Sequence, residues 1–521
     1  MLRKHLSALL SAATASLIFT GIAPIGIASA QEPEPVEILS MRSEYEKHYD
    51  NGDGTITAFI DTVPLHYNVD GEWIDIDNTL VLDKSGNYVN KSNSMDVTLA
   101  SSASVSALDA VYDKPLASID YNGYSISWDF VNDKPETAID ASVEDISMPI
   151  SYASIDEEDS ARNIDLGSNK LNKKASESVS KLTSSLSYDS LYENVDVDID
   201  VMPSSVKETI ILNDRDNVPE QFSYYIQSEG LTAELYDDNS VHFVNEYEED
   251  IFNIPAPYMF DSADIPENNY DIKVNVQEYE KGYLLTFIPD SDWIQSDERV
   301  YPVMIDPEVQ VSNSNISVYN LSEAKPNSVL HYNTFKVGGS IGDRYEAVIS
   351  CPSLLDSIDA SVITDAKLYV GFSQNTEMGK FDVYSFNQGC IPQWSACGDD
   401  NISSTYITSS ILPISYYYEC PFDLTNLVQS WYNNKKTGGC VGLNMRYIKI
   451  ALSTDSIYSG RIFEGGCNSN LSPYFSITYK KDSNYTLTYA PYKYNSYNNT
   501  SNFQDRMNCY AYALQIYYKG E

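Results

Sequence analysis

The first 350 residues contain no cysteine; all seven lie from Cys351 onward. That long stretch must therefore fold on burial alone, without covalent cross-links. Cations are scarce too: 33 Lys and Arg stand against 75 Asp and Glu, a formal charge of −42. Such a chain has no basic footprint for releasing phosphate counterions, so nucleic acid and anionic membrane are not expected partners. There are five histidines, His5, His48, His66, His242 and His331, and they are dispersed. With no clustered histidine and no C-x-x-C pair, neither a tetrahedral metal site nor any other cofactor is expected; calcium remains an incidental ligand for the acidic surface. Beyond the first 30 residues no apolar run approaches transmembrane length.

What is present begins with an export signal. Arg3 and Lys4 precede an apolar run from Leu6 to Ile27, which ends at Ala28-Ser29-Ala30. A charged start, an apolar centre and a small-residue cleavage site predict that residues 1–30 are a secretory signal, with a retained anchor as the competing reading. The mature chain is then secreted, extracellular or wall-associated.

Period-two alternation dominates the rest and predicts an all-β protein of several antiparallel β-sandwich modules. Turns at Asn51–Gly54 and Asp70-Gly71 bound early strands. The first turn imitates a calcium loop but fails as one, because Tyr49 and Ile60 fall where acidic ligands are required. Tyr124, Ile126, Trp128 and Phe130 share one face. Val195, Val197, Ile199 and Val201 share another, with Asp196, Asp198 and Asp200 expected on a solvated side. Residues 31–150 make a first β module, 151–185 a linker or insertion, and 186–308 a second module ending in YPVMIDP. The stretch FDLTNLVQSWYNNKKTGG from Phe422 predicts one amphipathic helix, with Leu424, Leu427, Val428 and Trp431 inward. Asp423 caps it and Gly438 and Gly439 stop it.

The strings KETIIL from Lys207, IPAPYMFD from Ile254 and YPVMIDPEVQV from Tyr301 resemble the N-terminal region of wall-associated and Rhs-repeat proteins. Residues 309–480 resemble a DNRLRE domain through FKVGG from Phe335, Arg344, DAKLYVGF from Asp365, Trp394, the helix segment and SPYFSITYKK from Ser472. That resemblance implies a jelly-roll sandwich, expected to fold as an independent unit. Related domains that bind carbohydrate make Trp394, Tyr416, Tyr417 and Tyr418 candidates for a sugar platform, with packing as their plainer role. Cell-wall polysaccharide or a surface protein is the expected partner.

Six cysteines, Cys351, Cys390, Cys397, Cys420, Cys440 and Cys467, fall within this segment as disulfide candidates, with buried thiols as the alternative. Cys390 and Cys397 are expected to pair across the Trp394 loop. Residues 481–521 read as a Tyr/Asn-rich linker and a short helical tail. There NCYAYAL resembles the start of a cysteine-hydrolase nucleophile helix, but all histidines lie upstream of Cys509. The chain is accordingly read as a non-catalytic adhesion or scaffold protein. Two alternatives stand beside this: a cysteine peptidase or amidase beginning near Cys509, and the delivery or stalk region of a wall-associated or Rhs-type protein.

Overall fold

The computed structural model describes residues 34–481 except 105–114, 132–138, 145–179, 217, 264–267, 312–316, 328–333, 341–342, 373–379, 387–392, 398–403, 412–417, 437, 445–461 and 467–472. The chain is all-β, and every strand pairing among these residues is antiparallel.

The two expected modules before residue 309 share one core. An eight-stranded sheet includes Asp77–Leu82, Met95–Leu99, Tyr124–Val131, Phe222–Ser228 and Gly282–Pro289. The pairing of Tyr124–Val131 with Phe222–Ser228, inside that sheet, joins the first module to the second. An eleven-stranded sheet includes Ser184–Tyr192, Val195–Val201, Ser205–Leu212, Asp250–Ile254 and Glu308–Val311. The inward residues of the two sheets form one cluster, in which Ile126, Val195, Val197, Ile199 and Phe222 are fully buried. The YPVMIDP string does not end this body. Val303–Asp306 and Glu308–Val311 both pair with Ser205–Leu212, and the Glu208 amide donates to the Pro307 carbonyl at 2.9 Å.

The aspartates of Val195–Val201 are not a freely solvated row. Each is only partly exposed. Asp196 accepts from the Ser190 amide at 2.6 Å and from Asn213 Nδ2 at 2.7 Å, and Asp200 accepts from the Ser185 hydroxyl.

Residues 317–481 build a second sandwich, but not alone. Its six-stranded sheet runs Val36–Glu37, Glu46–Asp50, Ile56–Asp61, Tyr474–Lys481, Ala360–Phe372, Tyr418–Asp423. Half of those strands come from the N-terminal end of the chain, across the boundary expected at residue 309. Ala58 and Ile60 are buried in the same cluster as Leu368, Phe475 and Ile477. The facing sheet contributes Val318, Val337, Ile349 and Val383 to that cluster.

The helix spans Thr425–Asn433 and buries Val428 and Trp431, with Leu424 fully buried at its start. The N-cap position is taken by Leu424 without a side-chain cap; Asp423, one residue earlier, accepts from the Thr425 amide at 2.9 Å in an Asx turn instead of capping the helix. The stop is different from the expected one. Lys435 takes a left-handed conformation (φ 56°), and the Lys436 and Lys435 amides donate to the carbonyls of Trp431 and Tyr432 at 2.9 and 3.0 Å. That is a Schellman closure on lysine. Gly438 serves packing: a Cβ there would overlap the Cys351 carbonyl oxygen. Gly438→Ala is expected to cost about 1–3 kcal/mol through forced backbone displacement. A thermal melt unchanged from wild type would refute that.

Candidate functional site

The strand Ser205–Leu212 alternates Val206, Glu208, Ile210 and Leu212 inward, so a carboxylate sits where an aliphatic side chain belongs. Glu208 is 3% exposed. Trp128 Nε1 donates to its Oε2 at 3.2 Å, and the Tyr224 hydroxyl donates to Oε1. Beside it lies a cavity of about 20 Å³ lined by Trp128, Glu208, Tyr224, Ile226, Leu285 and Phe287. Burial pushes Glu208 up to about 7, against the two hydrogen bonds that favour its charged form. Burial likewise raises the neighbouring Asp129 to about 8, with the charge of Glu208 adding to it. Displaced carboxyls beside a cavity are a usual signature of acid–base chemistry. Here both Glu208 oxygens are engaged, and the space suits one water rather than a substrate. The arrangement holds a buried carboxyl whose two oxygens are fixed by Trp128 and Tyr224.

On the reverse side of the same strand, Lys207 Nζ bonds Asp306 Oδ2 at 2.9 Å; Glu308, opposite Lys207 in register, also lines the cavity beside Glu208. Burial and the charge of Asp306 push Glu308 up to about 7.

A second constellation lies on the hairpin of Thr232–Leu235 and Val241–Val244. Asp250 Oδ2 is 2.7 Å from His242 Nδ1, and His242 Nε2 is 3.1 Å from Ser240 Oγ. These are the distances of a Ser-His-Asp relay. Ser240 Oγ, however, donates to Asp238 Oδ1 at 2.6 Å, so its proton points away from the imidazole. Tyr236 stacks on His242 with centroids 4.2 Å apart. The group therefore staples the turn from Tyr236 to Ser240. Sequence reading passed over both clusters. The signal for the first is a glutamate at an inward position of an alternating strand; for the second, Asp, Ser and His two residues apart.

Of the four residues expected to form a sugar platform, Trp394 is the one whose side chain is described. Trp394 is 6% exposed and packs on Leu321 and Val348. The Arg344 guanidinium lies 5.2 Å over its ring and pairs with Glu323 through two bonds of 2.8 Å. A ring so covered cannot stack on a sugar, so Trp394 takes the packing role. Tyr418 begins the strand Tyr418–Asp423, while Tyr416 and Tyr417 lie outside the described residues. Cys351 is buried at the end of Asp343–Cys351. Cys397 ends the short helix Trp394–Cys397, and Cys420 and Cys440 lie on strands Tyr418–Asp423 and Gly439–Asn444. Cys390, Cys467 and Cys509 fall outside the described residues, as do the signal segment and the tail. Among the described residues no group of three or more His, Cys, Asp or Glu is placed to hold a metal ion, and no helix is long and apolar enough to cross a membrane.

No protein-family model matches the chain, so the DNRLRE resemblance rests on the quoted residues alone. The chain is similar to the tRNA(Glu)-specific nuclease WapA of Bacillus subtilis subsp. natto, at 24% identity over 285 residues, 53% of this chain and 10% of that protein. It is equally similar, over the same shares, to the tRNA3(Ser)-specific nuclease WapA of Bacillus spizizenii. It is also similar to the wall-associated protein of Geobacillus stearothermophilus, at 26% identity over 235 residues, 45% of this chain and 78% of that protein. The chain thus spans about a tenth of the nucleases it matches and most of the wall-associated protein. These relatives correct the reading of the chain as a non-enzyme: the nucleases it resembles are named for catalysis, and that assignment is withdrawn.

Proposed function

We propose that this chain is the wall-associated delivery or stalk region of an Rhs-type protein, acting outside the cell and carrying an activity of the nuclease class. The observation behind this reading is the uneven coverage of its relatives. The similar stretch makes up 78% of a protein named for the wall, yet only 10% of proteins named as nucleases. A region of that kind fits a carrier common to both. Its binding partner is proposed to be cell-wall polysaccharide. The test is co-sedimentation of the full chain with isolated Gram-positive walls. Pelleting that saturates with added wall is the expected result, and a chain that stays in the supernatant at every wall concentration overturns the proposal.

A further inference from the structure

Tyr474–Lys481 has Ala360–Phe372 on one flank and Ile56–Asp61 on the other. The second neighbour arrives from the opposite end of the chain. Thr57 Oγ1 and Thr478 Oγ1 lie 2.8 Å apart across 421 residues of sequence.

Residues 34–76 hold themselves together without that sheet. Arg42 bonds Glu37 at 2.6 Å and Asp75 at 3.0 Å, and Lys47 also pairs with Asp75. His66 Nδ1 donates to the Ser43 carbonyl at 2.6 Å, and the Leu65 amide to the Glu44 carbonyl at 2.7 Å. The seam with the last sheet is mixed in character. Apolar Ala58 and Ile60 sit beside the threonine pair and beside buried His48, which lies 3.4 Å from the Tyr479 hydroxyl and 3.3 Å from Glu46. Hydroxyl and imidazole groups at that density give the seam the mixed polarity of an interface rather than of a purely apolar core. On its other side the element stays with the first body, Val63, Leu65 and Ile76 packing on Leu182 and Tyr67 lying 3.1 Å from Ser92 Oγ, while one strand pairing joins it to the last sheet; an element held to the far sheet in this way is the kind that copies of a protein exchange.

We propose that the flank of Tyr474–Lys481 is a strand-acceptor surface, and that its ligand, residues 34–76, exchanges between copies of this chain. The hairpin of one copy then fills the sheet of a neighbour. The contacts made are the same in either case, so local concentration decides the outcome. Pairing within one chain wins in dilute solution. Exchange gains as copies crowd towards the effective concentration of the tethered hairpin, on the order of millimolar for short flexible tethers and lower for long ones.

The test uses full chains. Thr57→Cys is placed in a chain with one tag and Thr478→Cys in a chain with another. The two are mixed over a range of concentrations, oxidised slowly and mapped by mass spectrometry. The expected result is a disulfide joining residue 57 of one tag to residue 478 of the other, rising with concentration. A double variant carrying both substitutions should close within one chain and so verifies the register. If it closes while the mixture yields no such link at any concentration, exchange is refuted. If the double variant does not close, the strand pairing fails and the proposal falls with it.

Discussion

Residues 309–480, excised from the chain, are expected to give no cooperative melt, and restoring residues 34–65 should bring one back. Tyr49, Phe59 and Ile60 are buried against that body, Tyr49 and Phe59 in a cluster with Tyr369 and Tyr474. A fully buried large side chain contributes about 1.5–3 kcal/mol, so these three amount to roughly 5–9 kcal/mol. A domain's whole stability is about 5–15 kcal/mol, so losing the hairpin removes most of it. It also bares Tyr474–Lys481 as an open edge, which invites aggregation. In the full chain, Ala58→Asp places a carboxylate at a fully buried position of the seam. That variant should lower the transition of the C-terminal sandwich and leave that of residues 77–311 in place. A cooperative melt of isolated 309–480 at the full chain's temperature would defeat both expectations.

Local periodicity carried much of the fold. Val195–Val201 reads as alternating and is alternating, with every valine and isoleucine at zero exposure. Ile126, Trp128 and Phe130 point inward together as their spacing requires. The turns at Gly54 and Gly71 have the positive φ that their glycines predict. What periodicity cannot carry is which strands meet. Nothing near Ile56–Asp61 records a partner at Tyr474–Lys481, because strand pairing depends on complementary faces rather than on adjacency. Local pattern therefore places the division at YPVMIDP, while the chain divides after Val311 and lends its N-terminal hairpin to the far body. The candidate site was hidden differently. Glu208 is legible as a charge among inward aliphatics, but its partners Trp128 and Tyr224 lie on two other strands. Trp394 shows the converse failure: an aromatic residue in a loop reads the same whether its face is open or covered by Arg344.

Stability is expected to decline as pH rises from 6 to 9, the reverse of the usual rise with carboxylate ionisation. Burial raises Glu208 and Glu308 to about 7 and Asp129 to about 8, while unfolded carboxyls titrate near 4. The folded state therefore keeps protons that the unfolded state has released. Their contribution is fully present below about pH 4 and is lost as pH climbs through 7 to 8. Each group accounts for a few kcal/mol, at about 1.4 kcal/mol per pH unit of displacement. The sum is smaller than three separate contributions, because Asp129 faces the charge of Glu208 and Glu308 that of Asp306. Asp75 acts with the opposite sign. Burial works to raise it, but His66, Lys47 and Arg42 together hold it well below the usual carboxylate range, so its contribution is lost in acid. The sandwich should thus be most stable in mildly acidic solution. At about 2–4 °C per kcal/mol for a body of this size, its melting temperature should fall by about 5–10 °C between pH 6 and 9. Glu208→Gln keeps one acceptor oxygen for Trp128 Nε1 and turns its amide NH2 towards the Tyr224 hydroxyl, which can accept; it carries no titrating proton, so it should flatten the decline. A melting temperature that is level or rising over this range, or a Glu208→Gln variant with the wild-type slope, would show that the buried carboxyls do not govern it.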